Sequence, residues 1–222
     1  MAEQNQHFDI VIFDCDGVIL DSNALKSQAF EQTLQRQGIE EPIIREFLTY
    51  HHTHGGISRY KKFEELLKRW LNNWPNEQVY QQLLSDYSNL CVQLYQQSVY
   101  TRGALALIQS LHKAGKKLYV ASGSDEQELR QVFAQKDLDQ YFEAIYGSPK
   151  TKSEIVADLV NRHAESRCLM IGDAISDLKA AQQAGISFRG MLGYSDNPDN
   201  LREQTENSGY PIIADLTELR IS

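Results

Sequence analysis

The chain has 222 residues, with 22 Lys and Arg against 30 Asp and Glu, a formal net charge of −8, and 41% hydrophobic residues. That length holds one substantial core plus an inserted smaller unit. The acidic balance disfavours a nucleic-acid partner, whose phosphates need a basic face, and no apolar run is long enough to span a bilayer.

The first seven residues are polar and lack the apolar region of a signal peptide, so the expectation is a cytoplasmic protein without membrane contact, a monomer or weak dimer. Cys15, Cys91 and Cys168 are odd in number and lack C-x-x-C spacing, which argues against a disulfide framework or a zinc site. An anionic substrate would have to find local positive charge.

Residues 8–13, Phe-Asp-Ile-Val-Ile-Phe, predict a buried strand. It ends in Asp14 and Asp16, followed at once by Gly17. In an open α/β sheet, ligands bind just outside the carboxyl ends of the strands. Two acids this close repel unless a cation or a shared proton relieves them. Mg²⁺ prefers oxygen ligands and needs only one or two protein carboxylates. With substrate phosphate as a further ligand, Asp14 can attack phosphorus to form an aspartyl-phosphate. Asp16 can then protonate the leaving oxygen and later activate water. The same acids also suit a plain turn or helix cap. An EF-hand is excluded, because its glycine stands sixth in the loop and Gly17 is fourth from Asp14. Alternation turns Cys15 away from the acids, as a small buried residue.

From 23 to 97 only helical patterns occur, predicted over 24–37, 42–50, 57–72 and 75–97. A block of about 75 residues is too long for an ordinary crossover and reads as a separate helical cap. From 102 onward helices and strands alternate: helices over 103–114, 125–135, 153–163 and 176–184, and strands over 117–121, 142–146, 168–171, 186–191 and 212–213. A short element follows over 216–219, and 194–210 reads as surface loop with a short helix. Such alternation means a parallel sheet with helices on both faces.

Three further stretches carry chemistry. In 119–124, Tyr-Val-Ala-Ser-Gly-Ser, Ser122 can hydrogen-bond a phosphate oxygen, helped by amides at the next helix start, while Ser124 or Asp125 can cap that helix. In 147–153, Lys150 or Lys152 can offset negative charge at Asp14 and phosphate. In 169–177, an apolar strand runs into Asp173 and Asp177, four residues apart, which face one point if the turn continues into helix.

The string Asp14-Cys15-Asp16-Gly17-Val18-Ile19-Leu20-Asp21-Ser22 resembles motif I of the haloacid dehalogenase superfamily, in its phosphoglycolate phosphatase and β-phosphoglucomutase-like branch. The three later stretches resemble motifs II, III and IV in the family's order. The resemblance implies an α/β fold, a Rossmann-like parallel sheet core over 1–22 and 98–222 with an α-helical cap domain over 23–97. It implies Asp14 as nucleophile, Asp16 as general acid/base, Ser122 with Gly123 at phosphate, and a motif III lysine. Ungapped alignment of the following helix favours Lys150, and the Gly-Ser-Pro-x-x-Lys pattern favours Lys152; the preference is Lys152. It implies Mg²⁺ held by Asp14, the backbone carbonyl of Asp16 and Asp173, with Asp177 beside them. Gly56-Ile57-Ser58-Arg59 resembles the cap stretch of β-phosphoglucomutases, which implies that Arg59 grips a substrate phosphate. Lys26 stands where relatives often have histidine, to close the cap or meet substrate. Glu126 falls near a substrate-contact position, and His51, His52 and His54 suggest either a metal site or a surface loop, with the loop preferred.

The resulting expectation is a phosphatase of a small phosphorylated metabolite. A β-phosphoglucomutase-like sugar phosphomutase and a non-catalytic metabolite-binding protein stand as alternatives. The second aspartate argues against carbon–halogen hydrolysis, because dehalogenases of the superfamily lack it.

Overall fold

A computed structural model describes residues 7–219 and 221; most of the polar start considered above lies outside them. The strands are β1 (Ile10–Phe13), β2 (Leu20–Asp21), β3 (Val99–Tyr100), β4 (Lys117–Asp125), β5 (Ala144–Ser148), β6 (Cys168–Gly172), β7 (Ser187–Met191) and β8 (Ile212–Ile213). The helices are α1 (Asn23–Arg36), α2 (Glu41–Thr53), α3 (Arg59–Arg69), α4 (Glu77–Gln97), α5 (Ala104–Lys113), α6 (Glu126–Gln135), α7 (Lys152–Arg162), α8 (Ile175–Ala184) and α9 (Pro198–Asn207).

Six strands form one parallel sheet in the order β5-β4-β1-β6-β7-β8. Every residue of β1 is buried, as the β-branched run requires of a central strand. Its side chains alternate between two cores. Val11 and Phe13 pack with Ile108, Leu129 and Phe133, whereas Ile10 and Ile12 pack with Ile155, Leu159, Leu178 and Leu201. Helices therefore cover both faces. Phe13 is in register with Val120 of β4 and with Ile171 of β6. That register brings the residues just after these strand segments, Asp14, Ser122 and Asp173, to one edge of the sheet.

The chain leaves this sheet through β2, makes α1 to α4, and returns through β3; Leu20 pairs antiparallel with Tyr100 and Asp21 with Val99. The inserted helices have an aromatic centre. The Phe30 ring lies 5.4 Å from Phe47, 5.3 Å from Phe63 and 4.1 Å from Tyr87.

Several elements differ from their predicted extent. The predicted strand 117–121 runs on to Asp125, because the backbone stays extended past a register shift and Asp125 pairs with Ser148. The predicted helix 57–72 starts at Arg59, capped by the Ser58 hydroxyl, which accepts from the Lys61 amide. The predicted helix 75–97 starts at Glu77, capped by Asn76. The loop expected around His51 and His52 is the last turn of α2, where His51 is buried and only His54 lies at the end.

Candidate active site

The sheet edge and the inserted helices enclose a cavity of about 540 Å³, within the usual range for small-ligand pockets. Asp14, Asp16, Ser122, Lys152 and Asp173 line its sheet side, and Lys26, Arg59, Lys62 and residues 51–58 line its helical side.

At the end of β1, one carboxylate oxygen of Asp14 accepts from the Cys15 amide at 2.7 Å. The other accepts from Lys152 Nζ at 2.6 Å, and the same ammonium donates to Asp177 at 2.5 Å. Lys152 is 5% exposed. Burial alone would lower its pKa, but Asp14 and Asp177 hold it well above the usual lysine range, so it stays charged. Lys150 instead makes an exposed pair with Asp158 at 3.1 Å. The capping box of Thr151 and Glu154 explains the difference: α7 starts at Lys152, which turns inward from its first position.

Asp14, Asp173 and Asp177 are all buried and offer carboxylate oxygens within 4.8 Å of one another. Burial, then repulsion from Asp14 and Asp177, pushes the Asp173 carboxyl well above its ordinary pKa. Burial also raises Asp177, to about 7, against the pull of Lys152. An all-carboxylate donor set whose members repel fits a hard divalent ion, which supplies the missing positive charge. Asn23 Nδ2 fixes Asp173 from the other side at 2.7 Å. The fit is close: a Cβ on Gly17, at φ +73°, would stand 2.2 Å from the Asp173 carboxylate.

The Asp16 carboxylate is not in that cluster. It accepts from Ser22 Oγ at 2.6 Å, Tyr95 Oη at 2.6 Å and Ser124 Oγ at 2.8 Å, and from Lys26. Burial would raise its pKa; the Lys26 charge and these hydrogen bonds hold it down to about 2. The Asp16 carboxylate is thus engaged apart from the cluster of Asp14, Asp173 and Asp177. Lys26 bridges Asp16 and Ser124, placing an α1 side chain against the sheet edge.

Ser122 is buried and accepts from the Ser124 amide at 3.2 Å. A Cβ on Gly123 would meet the Gly56 carbonyl oxygen at 2.3 Å, so bare backbone is what lets the loop before α3 lie on the sheet edge. Cys15 is fully buried in the core, and burial drives its thiol pKa well up, as fits an inert residue.

Two residues singled out in the sequence have partners within the protein. The Arg59 guanidinium does border the cavity, but its fork is filled. It donates to both Glu128 oxygens, at 2.6 and 2.5 Å, and to Ser88 at 2.9 Å, above the Tyr87 ring. A grip on substrate phosphate would have to break this pair. Glu126 does not border the cavity; it accepts from the Gly147 amide at 3.2 Å and from Arg130 at 2.8 Å. The pairing of Tyr95, Ser124 and Ser22 with Asp16, of Asn23 with Asp173, and of Glu128 with Arg59 was not foreseen. Ser22 and Asn23 end motif I or follow it at once, the one local signal available. Tyr95 and Glu128 sit 79 and 69 residues from their partners.

The haloacid dehalogenase-like hydrolase profile matches residues 11–191. The chain belongs to this family. Among its relatives, a 5'-nucleotidase of Pseudomonas aeruginosa is 26% identical over 232 residues, covering 99% of this chain and 97% of that protein. A phosphoglycolate phosphatase of Neisseria gonorrhoeae is 27% identical, covering 86% of this chain and 83% of that one. The fold of this hydrolase is also that of YfnB from Bacillus subtilis, solved bound to magnesium, with TM-score 0.69, 20% identity, and coverage of 96% and 97%.

Proposed function

We propose that this hydrolase is a Mg²⁺-dependent phosphatase of a small phosphorylated metabolite, working through a phosphoryl group carried by Asp14. The observation that carries this reading is the meeting at one sheet edge of Asp14, the Lys152 ammonium and the buried pair Asp173 and Asp177. Relatives that act as nucleotidase and phosphoglycolate phosphatase support phosphate esters as the substrate class.

Asp14, Asp173 and the Asp16 carbonyl would hold the ion, with Asp177 beside them; when bound it neutralises charge on a phosphate oxygen. The chain's own residues do the rest. Lys152 faces one oxygen of Asp14, and together with Ser122 it stabilises the charge that develops on the transferring group. An Asp14 oxygen forms a bond to phosphorus as the ester P–O bond breaks. Asp16 gives its proton to the leaving oxygen, and in the second half takes a proton from the water that attacks phosphorus and frees Asp14.

The hydrogen bonds around Asp16 bear on this cycle. With Lys26 in place Asp16 is ionised, which suits the base half. The acid half needs Lys26 to draw back, and Lys26 stands on the inserted helices. Helices 23–97 thus act as a cap whose closing excludes water and whose opening admits substrate.

The mutase alternative drew on Arg59, whose fork is filled by Glu128, and this favours water over a sugar hydroxyl as acceptor. The test is phosphate release from a panel of phosphorylated metabolites, with Mg²⁺ and with chelator. Metal-dependent release is the expected result. Isomeric sugar phosphate without free phosphate would promote the mutase, and binding without turnover the non-catalytic protein.

A further inference from the structure

The helical side of the cavity holds a buried lysine that the proposed chemistry does not use. Lys62, on α3, is 2% exposed and borders the same cavity as Asp14. Its Nζ makes a hydrogen bond with His51 Nδ1 at 2.6 Å and donates to the His51 carbonyl at 3.4 Å. It lies 5.7 Å from the Phe30 ring centre. Among the described residues, four buried carboxylates have other cations, Lys26 for Asp16, Arg59 for Glu128, and Lys152 for Asp14 and Asp177, while the fifth, Asp173, accepts from Asn23. None is paired with Lys62.

A buried ammonium without an anion is costly, and proteins keep one only against a partner or a function. Burial first, then the charge of Lys26, lowers the Lys62 pKa to about 7. The charged groups facing it are Lys26 on α1, Lys152 on α7, Asp16 after β1 and Asp196 before α9; the His51 ring on α2, whose pKa burial and then Lys62 push well down, faces it as a neutral partner. Of the two acids, Asp16 is taken by Lys26, and Asp196 stands 3.6 Å from His52. His51 is itself fixed on both sides, with its Nε2 at 3.1 Å from Ser27 Oγ, so it holds the lysine in place. The same arrangement speaks against a metal ion among His51, His52 and Asp196, since both ring nitrogens of His51 are engaged and one faces an ammonium.

We propose that Lys62, positioned by His51, receives a second anionic group of the substrate, a carboxylate or a second phosphate, while the reacting phosphoryl group lies at Asp14. This inference rests on the phosphatase reading and narrows its substrate class to esters with two anionic ends. The second anion supplies the counter-charge that the protein withholds, and it relieves the repulsion between Lys62 and Lys26. A substrate without it leaves Lys62 buried and unpaired, and a site of that kind rejects the analogue.

The test uses two matched pairs of esters with the full-length enzyme and Mg²⁺. One pair is 3-phosphoglycerate against glycerol 3-phosphate, and the other is glucose 1,6-bisphosphate against glucose 6-phosphate. Wild type is expected to favour the doubly anionic member of at least one pair by about tenfold or more in kcat/KM, and which pair responds separates carboxylate from phosphate. Lys62→Met is expected to bring that ratio close to one, whatever loss both members share, and Lys62→Arg to restore part of it. A ratio that Lys62→Met leaves unchanged, or a wild type that favours the singly anionic member of both pairs, overturns the inference alone. Wild type that releases phosphate from none of the four esters but does so from other metabolites of the panel overturns the inference alone, and release from no ester of the panel overturns it together with the phosphatase reading.

Discussion

Arg59 of the inserted helices and Glu128 of α6 form a two-pronged ion pair, 2.6 and 2.5 Å, with the arginine only 4% exposed. It joins the cap side of the cavity to the sheet side. Removing one partner of such a pair leaves a buried charge, at a cost of about 3–5 kcal/mol. Glu128→Ala is therefore expected to destabilise strongly in urea unfolding, and Arg59→Met with Glu128→Leu to regain most of that loss. Equal stability of Glu128→Ala and wild type would show that the pair does not hold the two parts together.

The lysine beside Asp14 separates two neighbours of like sequence. Lys152→Met is expected to lower kcat by about a hundredfold or more, the scale of losing one stabiliser of developing charge. Lys150→Met removes an exposed pair with Asp158, of a kind worth about 0–1 kcal/mol, and is expected to leave kcat within about twofold of wild type. Steady-state phosphate release reads both, and the opposite order would assign the role to Lys150.

Much of this arrangement is legible in the sequence. The run ending in Asp14 and Asp16 and the run ending in Asp173 both read as buried strands, and alternation of helices and strands gives the parallel sheet. The register of β1 with β4 and β6 then brings their ends together. What the sequence hides depends on side chains meeting across long separations. The resemblance of residues 56–59 to a β-phosphoglucomutase cap stretch implies that Arg59 grips substrate, and nothing near it in sequence marks Glu128 as its partner. Lys62 reads as one more polar position of an amphipathic helix, and only packing shows it buried against His51. The extension of β4 to Asp125 is hidden because Ser122, Gly123 and Ser124 have weak strand preference and lie across a register shift between the pairs Ala121 with Tyr146 and Asp125 with Ser148.

Lys26 sets the charge on Asp16. An acid whose pKa is lower in the folded than in the unfolded chain adds stability above the unfolded value, near 4, and loses it as pH falls toward the folded value of about 2. Lys26→Met removes the main force holding that value down and leaves burial, which raises it. Carboxyl titration by NMR is expected to show Asp16 shifted upward in the variant. The stability gap between wild type and variant is expected to be widest above pH 4 and to close toward pH 2. An unmoved Asp16 titration would contradict the pairing.

Gly123 lets the loop before α3 rest on the sheet edge, where an added Cβ would stand 2.3 Å from the Gly56 carbonyl. Gly123→Ala is expected to hold the cap loop away, raising KM and lowering kcat/KM by about tenfold, which corresponds to about 1.4 kcal/mol. The thermal midpoint reports whether the core is intact, and unchanged kinetics would mean that the loop does not need this contact.

The central claim is that Asp14 carries the phosphoryl group. Its most direct test is rapid acid quench of the enzyme during turnover of the best ester of the panel, with Mg²⁺, followed by peptide mass spectrometry. The account predicts a phosphoryl group on the peptide that holds Asp14, absent with chelator and absent in Asp14→Asn, which also releases no phosphate. Undiminished turnover by Asp14→Asn, or a phosphoryl group trapped on another residue, would contradict it.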